Sequence, residues 1–363
     1  MRPARLTATS AEQIQSERAP LGVRESAVLH ALIERHIATA QPVASSHIAG
    51  LPEIALSSAS VRAILADLAE RGFLAQPHTS AGRVPTPKAL RLYTEHFSRQ
   101  ARECGTEQEA IEQELVKAEH EIMTMLKHAA SLLARRGGQV GMVLAPDKNS
   151  SRLRGITFVP TAANLVLAVL ELEGGLISTC AIHPAEPYSR DELVWFGNFL
   201  THRYENVSLS EMRNSIYRET NHTGRQLEDL CLRALGLSRL ALEQIETERE
   251  LFVIGAANLF EQAEFMNLDR MRGLVRLIED RSRLLDLLDA TLRSETVSIT
   301  MAPGANDGLD ACALISAPFG GSGSRGVASL IGPLRMDYVR LIPMVEGVSA
   351  VLTALCSHSF TKV

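Results

Sequence analysis

Long apolar runs are missing from this sequence of 363 residues. No stretch approaches the roughly 18 uninterrupted apolar residues that a membrane-spanning helix needs, and the first residues lack the apolar core of a secretory signal. The composition, 45% hydrophobic and 22% charged, is ordinary for a water-soluble protein. We therefore expect a cytoplasmic protein, and its length favours two or three domains over one compact core.

Paired cysteines are missing too. The five cysteines are an odd number, lie far apart, form no Cys-x-x-Cys pair and have no histidine at ligand spacing. Isolated thiols in a reducing compartment are usually small buried apolar side chains. We expect no disulfide framework, no metal site and no cofactor. The cysteines are Cys104, Cys180, Cys231, Cys312 and Cys356.

The residue patterns of common catalytic sites are also lacking. A glycine-rich run near the end of the chain is followed by no Lys-Ser or Lys-Thr pair, which a phosphate-binding loop needs, so it favours a flexible hairpin loop. The histidines are isolated, and no local pattern combines a nucleophile, a base and an oxyanion-binding group, so we expect that the protein is not an enzyme. The glycines are Gly320, Gly321, Gly323 and Gly326, and the histidines are His183, His202 and His222.

A strong charge of one sign is absent from the chain as a whole, whose net charge is -5. Residues 1–100 nevertheless hold 11 Lys and Arg against 8 Asp and Glu and carry +3, while the other residues carry -8. Nucleic-acid binding depends on the local field and not on the total charge. The small positive excess therefore leaves the N-terminal part open to a nucleic-acid partner.

The first hundred residues do contain a series of helical patterns. Apolar residues recur at spacings of three and four over residues 24–40, which predicts a helix. A short second helix follows, with Ser45 or Ser46 as its N-cap. Ser57 and Ser58 cap a third helix, whose apolar residues lie within about 100° of one another on the helical wheel.

A predicted hairpin completes this unit. Phe73–Gln76 and Arg83–Thr86 are extended segments joined by a polar tip, and Pro87 opens a further helix. Three helices and a two-stranded wing make a winged helix-turn-helix, which we expect over residues 21–104 after a loose tail over 1–20.

The rest of the chain alternates between strand-like and helical patterns. We expect a long helix, four runs that pair as an antiparallel sheet, a mainly helical stretch, another helix, three strands and a last helix. The long helix covers 107–136, the four strand-like runs cover 139–144, 156–159, 165–172 and 176–182, and the mainly helical stretch covers 189–250. The next helix covers 268–292, the three strands cover 297–301, 311–317 and 327–331, and the last helix covers 336–356. The pattern indicates an α+β multidomain protein in which residues 105–190 and 251–363 form one domain, interrupted by an inserted, mainly helical segment over 191–250.

The third helix carries the side chains with which it would read DNA. An α-helix fits the major groove, and the face turned away from the core holds Ala59, Arg62, Ala63 and Ala66. Arg62 is the only cation there, and its fork can pair with O6 and N7 of guanine for about 1 to 3 kcal/mol of discrimination. Asp67 and Glu70 would be repelled by phosphates and are expected at the far end of this helix.

Serines at the helix starts allow two interpretations. Free N–H groups and the positive end of the helix dipole suit a phosphate, whereas plain capping is the alternative. The serines are Ser45, Ser46, Ser57 and Ser58, with Ser60 at the margin of the first turn. In the hairpin, Ser80, Gly82 and Arg83 form a flexible, cationic tip suited to a narrow minor groove, or else an ordinary exposed turn.

With these segments placed, the chain resembles the heat-inducible transcription repressor family HrcA. The stretch Leu56–Arg91, LSSASVRAILADLAERGFLAQPHTSAGRVPTPKALR, is similar to the family's recognition helix and wing, and Ala40–Val43 (AQPV) matches the approach to the second helix. Leu251–Phe265 (LFVIGAANLFEQAEF) and Ile331–Arg340 (IGPLRMDYVR) resemble its C-terminal blocks. The resemblance covers nearly the whole chain.

The resemblance implies a dimeric repressor that binds double-stranded DNA at an inverted-repeat operator of the CIRCE type, upstream of chaperone genes. It also implies release on heat stress, reactivation by the GroE chaperonin, a GAF-like fold for the α+β domain and dimerisation through the insertion. The resemblance implies DNA-binding roles for Arg62, Ser57, Ser58 and Arg83. Ala63 stands where the family usually has asparagine, and Ile64 where an acidic or small apolar residue is common, so the preferred operator is expected to differ.

Two alternatives remain open at this point. A metabolite-responsive regulator would share the N-terminal unit and bind a small effector in the GAF-like domain. An enzyme or chaperone-binding adaptor would use the winged helix only to hold a partner protein.

Overall fold

A computed structural model describes residues 21–78, 81–100, 105–116, 122–162, 164–221, 229–245, 249–302, 310–321 and 324–358. The described residues form a mixed α+β protein. The predicted tail over 1–20 lies outside them, and so do Ser80, Cys104, His222 and Gly323.

Helices and strands alternate along the described chain. The helices are α1 (Val23–Thr39), α2 (Ser45–Ala49), α3 (Ser58–Glu70), α4 (Pro87–Gln100), α5 (Gly105–Val116), α6 (Ile122–Gly137), α7 (Arg190–Tyr204), α8 (Leu209–Asn221), α9 (Asp229–Gln244), α10 (Ala257–Phe260), α11 (Leu268–Glu279), α12 (Arg281–Leu292) and α13 (Tyr338–His358). The strands are β1 (Leu74–Ala75), β2 (Val84–Pro85), β3 (Val140–Leu144), β4 (Leu153–Ala162), β5 (Leu165–Leu172), β6 (Ile177–Ile182), β7 (Leu251–Ile254), β8 (Ser298–Met301), β9 (Cys312–Gly321) and β10 (Ser324–Pro333).

The N-terminal module, residues 21–100, contains α1 to α4 and the hairpin β1–β2. Helix α1 confirms the predicted helix over 24–40, because its recurring apolar residues Val28, Leu29, Leu32 and Ile33 are all buried. Ala40 ends it in the left-handed conformation, with φ at 56°, and donates its N–H to the His36 carbonyl. The third helix and the hairpin also form where the sequence predicts them.

A five-stranded antiparallel sheet, in the order β7-β3-β10-β9-β8, forms the centre of the molecule. Side chains alternate between its two faces, as the pleat of a strand requires. One face, with Val143, Ile315 and Leu330, packs in a cluster with α6 and α13. The opposite face, with Leu314 and Ile331, packs in a second cluster with α11 and α12. The sheet is therefore covered by helices on both sides.

A second sheet, β4-β5-β6, belongs to an outer unit, residues 151–245, that has its own apolar cluster. Helices α7 and α9 pack on one face of this sheet. The prediction that residues 139–144 pair with the three later runs is wrong. Strand β3 bonds to β10 on one edge and to β7 on the other, so neither of its edges is free for β4.

Two further expectations need correction. The predicted helix over 268–292 is two helices, because Asp280 leaves helical geometry (φ -88°, ψ 89°) and its carboxylate accepts the Arg283 N–H, which starts α12. The glycine run is not simply a loop, since Gly320, Gly321 and Gly326 lie in paired strands. A Cβ on Gly326 would lie 2.3 Å from the Phe319 ring, so this glycine is needed for close packing. The long helix predicted over 107–136 corresponds to α5 and α6, with 117–121 outside the described residues.

The last helix is part of the core. Its segment Tyr338–Cys356 is long and apolar enough to cross a membrane by length and composition alone, yet half of that window is buried inside the structure. Tyr338, Ile342, Val345 and Leu352 are completely buried and contact the central sheet and α6 as part of one cluster. Its apolar character is therefore explained by its packing.

The N-terminal module and the central sheet share this apolar cluster. Helix α4 packs on α13 and β8, and Leu90 and Tyr93 of α4 are buried in the same cluster as Leu341 and Val345 of α13. The module is thus joined to the rest of the chain by a continuous core as well as by the chain itself.

Candidate nucleic-acid interface

The start of helix α3 is capped by a serine, as predicted. The Ser60 N–H donates to the Ser57 hydroxyl oxygen at 3.1 Å, and the two hydroxyl groups are hydrogen-bonded at 2.9 Å. Ser58, which was also expected to cap this helix, is instead its first residue. All three serines are exposed, so capping does not remove their hydroxyl groups from a partner molecule.

The outward face of α3 is the one that the sequence predicts. Val61, Leu65 and Leu68 are buried, whereas Ala59, Arg62, Ala63 and Ala66 are all exposed. The face therefore presents a single cation among methyl groups. Asp67 and Glu70 lie in the last turn of the helix, and Asp67 is paired with Arg71 at 3.4 Å.

Helix α2 begins differently from the prediction. Ala44, in extended geometry, is its N-cap residue and makes no side-chain cap, so neither Ser45 nor Ser46 is the N-cap. The two serines are instead the first residues of a helix of five residues. Ser45 accepts a hydrogen bond from Nε of Arg62 at 3.4 Å, which joins α2 to α3.

The base of the hairpin is fixed against the turn between α1 and α2. Val43 and Arg83 exchange two backbone hydrogen bonds, both 2.9 Å long. A Cβ on Gly82 would lie 2.5 Å from the carbonyl carbon and oxygen of Val43 and 2.8 Å from Pro42. The sequence suggested Gly82 as part of a flexible tip, whereas its position is one where only a glycine fits. Sequence patterns give no signal for this contact, because Val43 and Arg83 are distant along the chain.

Towards its tip the hairpin is held by local hydrogen bonds. The Gln76 side chain donates to the Ala81 carbonyl at 3.1 Å, and the Ala81 N–H donates to the His78 carbonyl at 2.9 Å. The prediction that Arg83 lies at the tip is wrong, because Arg83 is half-buried at the base of the hairpin, where its backbone pairs with Val43. Ser80 lies outside the described residues, so its predicted role at the tip stays a prediction.

The far end of α3 is tied to the rest of the module by charged groups. Arg71 pairs with Glu25 of α1 at 3.0 Å. Lys88 donates to the Arg71 carbonyl at 2.9 Å and lies 4.6 Å from the centre of the Phe73 ring. These contacts fix the orientation of α3 relative to α1 and α4, and sequence spacing alone gives no sign of them.

A buried tyrosine lies where the module meets the central domain. Tyr93 contacts the ring of His30 edge to face at 5.3 Å. Burial raises the pKa of Tyr93, and the nearby carboxylates of Glu34 and Asp337 raise this pKa further. Glu34 belongs to α1 and Asp337 precedes α13, so groups from both sides act on one hydroxyl.

Four of the five cysteines lie within the described residues. Cys180, Cys231, Cys312 and Cys356 are free thiols, and burial raises the pKa of Cys312 to about 12 and that of Cys356 to about 11. Such thiols are poor nucleophiles because the thiolate is the reactive form. Within the described ranges, no three His, Cys, Asp or Glu side chains are grouped so that they could hold a metal ion.

Comparison with known proteins gives consistent matches along the chain. Residues 123–342 match the family model described as the HrcA protein C terminal domain. The heat-inducible transcription repressor HrcA of Nitratidesulfovibrio vulgaris (strain Miyazaki F) is 48% identical over 344 residues, 94% of this chain and 97% of that protein. The repressor of the same name from Geobacter sulfurreducens is 33% identical over 334 residues, 92% of this chain and 97% of that protein.

A solved structure supports the fold. A crystal structure described as that of a hypothetical protein superposes with a TM-score of 0.60 at 20% identity, and covers 94% of this chain and 100% of its own. At this identity the similarity concerns the fold alone.

Proposed function

The chain belongs to the heat-inducible transcription repressor HrcA family, and we propose that its N-terminal module is a winged helix-turn-helix that binds operator DNA. The exposed face of α3, with Arg62 among alanines, is the observation that carries this proposal. In such a module the recognition helix lies in the major groove while flanking elements contact the backbone. The repressor function of the family favours this role over an enzyme or an adaptor.

We propose distinct roles for the residues at this surface. The Arg62 guanidinium reads a guanine, and Ala59, Ala63 and Ala66 allow close approach and contact thymine methyl groups. The exposed hydroxyl groups of Ser57, Ser58 and Ser60 lie at the start of α3, which suits a phosphate, and the exposed Ser46 side chain contacts the DNA backbone from α2. Arg83, with Gly82 and Ser80, belongs to a wing that lies along the adjacent backbone or minor groove.

The operator is expected to be an inverted repeat of the CIRCE type upstream of chaperone genes, because the family resemblance implies it. Ala63, where the family usually has asparagine, removes a side chain that pairs with adenine through its amide. We therefore expect weaker preference for adenine at that position of the half-site.

We propose that the outer unit forms the homodimer. It is inserted between β3 and β7, and its sheet exposes a face that α7 and α9 do not cover. Register places Val159, Leu167 and Ala181 side by side in one row of this face, and Thr157, Val169 and Thr179 in the next. A second copy stacked on this face would cover its apolar groups, and a two-fold axis would present two modules to two half-sites.

We further propose that the five-stranded sheet and its helices form a GAF-like domain, and that the insertion includes the three-stranded sheet as well as residues 191–250. Release on heating follows if the DNA-competent state is only marginally stable, since such an equilibrium responds steeply to temperature. The resemblance also implies that the GroE chaperonin reactivates the repressor in the cytoplasm.

A titration tests the DNA-binding proposal. The full chain, Arg62→Ala and Arg83→Ala are each titrated with an inverted-repeat operator and a scrambled duplex at two salt concentrations. We expect Arg62→Ala to lose about 1 to 3 kcal/mol of preference for the operator, and Arg83→Ala to weaken both duplexes alike. Affinity should fall steeply with salt if several phosphates are contacted.

Two outcomes would contradict the proposal. Equal losses on both duplexes for Arg62→Ala would remove its base-reading role. Weak binding with little salt dependence would favour a module that holds a protein partner. Repeating the titration after a heat pulse tests the release, because unchanged operator affinity without chaperonin would show that heat does not switch the protein.

A further inference from the structure

The one hydrogen bond between α2 and the exposed face of α3 involves the side chain proposed to read DNA. Nε of Arg62 donates to Oγ of Ser45 at 3.4 Å, across 17 residues of sequence. Within the described part of the chain, the Arg62 guanidinium has no other hydrogen bond or ion pair. This long contact is therefore the one polar interaction, among the described residues, that orients the guanidinium in the free protein.

Both partners stand on backbone that is fixed by other contacts. Ser45 follows Val43 by two residues, and Val43 is held by its two backbone hydrogen bonds to Arg83. Arg62 lies one turn beyond the capped start of α3, and its neighbour Val61 is completely buried. Backbone contacts therefore fix the separation of the two Cα atoms, and the hydroxyl group of Ser45 stays within reach of Nε.

The choice of nitrogen matters for recognition. A guanidinium has five N–H groups in one plane, one on Nε and two each on Nη1 and Nη2. When Nε is engaged by Ser45, the outer edge formed by Nη1 and Nη2 stays free. This edge can donate two parallel hydrogen bonds to O6 and N7 of a guanine. The Ser45 contact also restricts a long side chain that would otherwise sample many rotamers.

We propose that Ser45 is a positioning residue, which holds the Arg62 guanidinium so that its Nη1–Nη2 edge faces a guanine in the major groove. The inference rests on the proposed DNA-binding function and gives Ser45 a different role from the phosphate contact expected from sequence. Helix α2, with five residues and no side-chain cap, supplies little reason for a phosphate site at its start.

The test uses the full chain and the two duplexes, the inverted-repeat operator and its scrambled control. Ser45→Ala is expected to weaken operator binding about three- to tenfold, the range for loss of one hydrogen bond, and to leave scrambled DNA unaffected. Ser45→Thr keeps a hydroxyl group and should restore most of the preference. In the Arg62→Ala background, Ser45→Ala should cause no further loss, because the group that it positions is gone. Ser26→Ala, which changes a half-buried serine in the first turn of α1, is the matched control.

A measurement without DNA complements these titrations. Nitrogen-15 relaxation of the Arg62 Nε–H group should report a more restricted side chain in the wild type than in Ser45→Ala, with Ser26→Ala unchanged. Equal weakening of both duplexes by Ser45→Ala, or a loss that persists without Arg62, would overturn the inference while the wild type still prefers its operator. A wild-type protein that does not distinguish the duplexes would overturn the proposed function, and the inference with it.

Discussion

At the scale of single residues, Gly82 sets the distance between the hairpin and the turn that precedes α2. Any Cβ at this position overlaps the Val43 backbone, and backbone atoms cannot rotate away as a side chain end can. The two Val43–Arg83 hydrogen bonds depend on this approach. The residue acts by having no side chain, independently of any contact with DNA.

Gly82→Ala should therefore destabilise the protein by about 1 to 3 kcal/mol, because the added methyl group must push the two backbones apart. Gly50→Ala is a suitable control in the same module, since its Cβ would meet nothing closer than the Ser46 carbonyl oxygen at 3.6 Å. Urea unfolding of both variants measures the difference. Equal stabilities for the two would show that the hairpin adjusts at no cost.

The sequence predicts some of these residues better than others. The exposed face of α3 follows from the spacing of Val61, Leu65 and Leu68, since the period of about 3.6 residues places these three on one side of the helix and leaves the opposite side exposed. The Ser45–Arg62 contact does not follow, because it depends on how the turn between two helices folds back. The N-cap at Ser57 was predictable from local chemistry, whereas Ala44 took that place in α2 against the residue preference.

At the scale of elements, the sequence predicts strands well and their partners poorly. The apolar runs gave the positions of β3, β5 and β6, because alternation and β-branched residues are local signals. The pairing of strands is harder to predict, because a segment much later in the sequence can occupy the edge of an early strand. Strand β7 lies more than a hundred residues beyond β3 and takes the edge that adjacency along the chain would assign to β4.

The open face of the outer sheet gives a prediction at this scale. Val159, on an edge strand and 39% exposed, belongs to the apolar row of that face. In the proposed homodimer, a stacked second copy would bury the charge, so Val159→Asp should shift the protein from dimer to monomer. Light scattering after size-exclusion chromatography measures the mass.

Val194→Asp is the matched control on the outer unit. Val194 is 56% exposed, but it lies on α7, which covers the opposite face of the same sheet. We expect this variant to remain dimeric. If Val194→Asp dissociates the dimer and Val159→Asp does not, the interface lies on the helical side instead.

At the scale of the whole molecule, buried thiol and phenol groups should make the folded state less stable at alkaline pH. Burial raises the pKa values of Cys312 and Cys356 above their usual 9.0, and those of Tyr93 and Tyr338 above their usual 10.0. The folded state thus keeps protons that the unfolded chain releases. A group whose pKa is raised in the folded state stabilises the protein at pH values below its unfolded-state pKa. This stabilisation is lost as the pH rises towards the folded-state pKa.

The free energy of unfolding should therefore decline as pH rises from about 9, with a steeper fall above about 10 as unfolded tyrosines ionise. Urea titrations across this range measure the decline. In Tyr338→Phe, loss of the hydrogen bond from the hydroxyl to the Leu334 carbonyl should lower stability by about 1 kcal/mol at neutral pH. The same variant should show a shallower decline above about pH 10, and an unchanged slope would contradict this explanation.

The core that α4 shares with α13 has a consequence for engineering. DNA-binding modules are often treated as parts that can be cut from one protein and attached to another. Here a cut after residue 100 would leave Leu90 and Tyr93 without the apolar groups of Leu341 and Val345 that share their cluster. A chimaeric repressor would need a substitute for α13 in its new host, and shuffling at this boundary would yield a module prone to self-association.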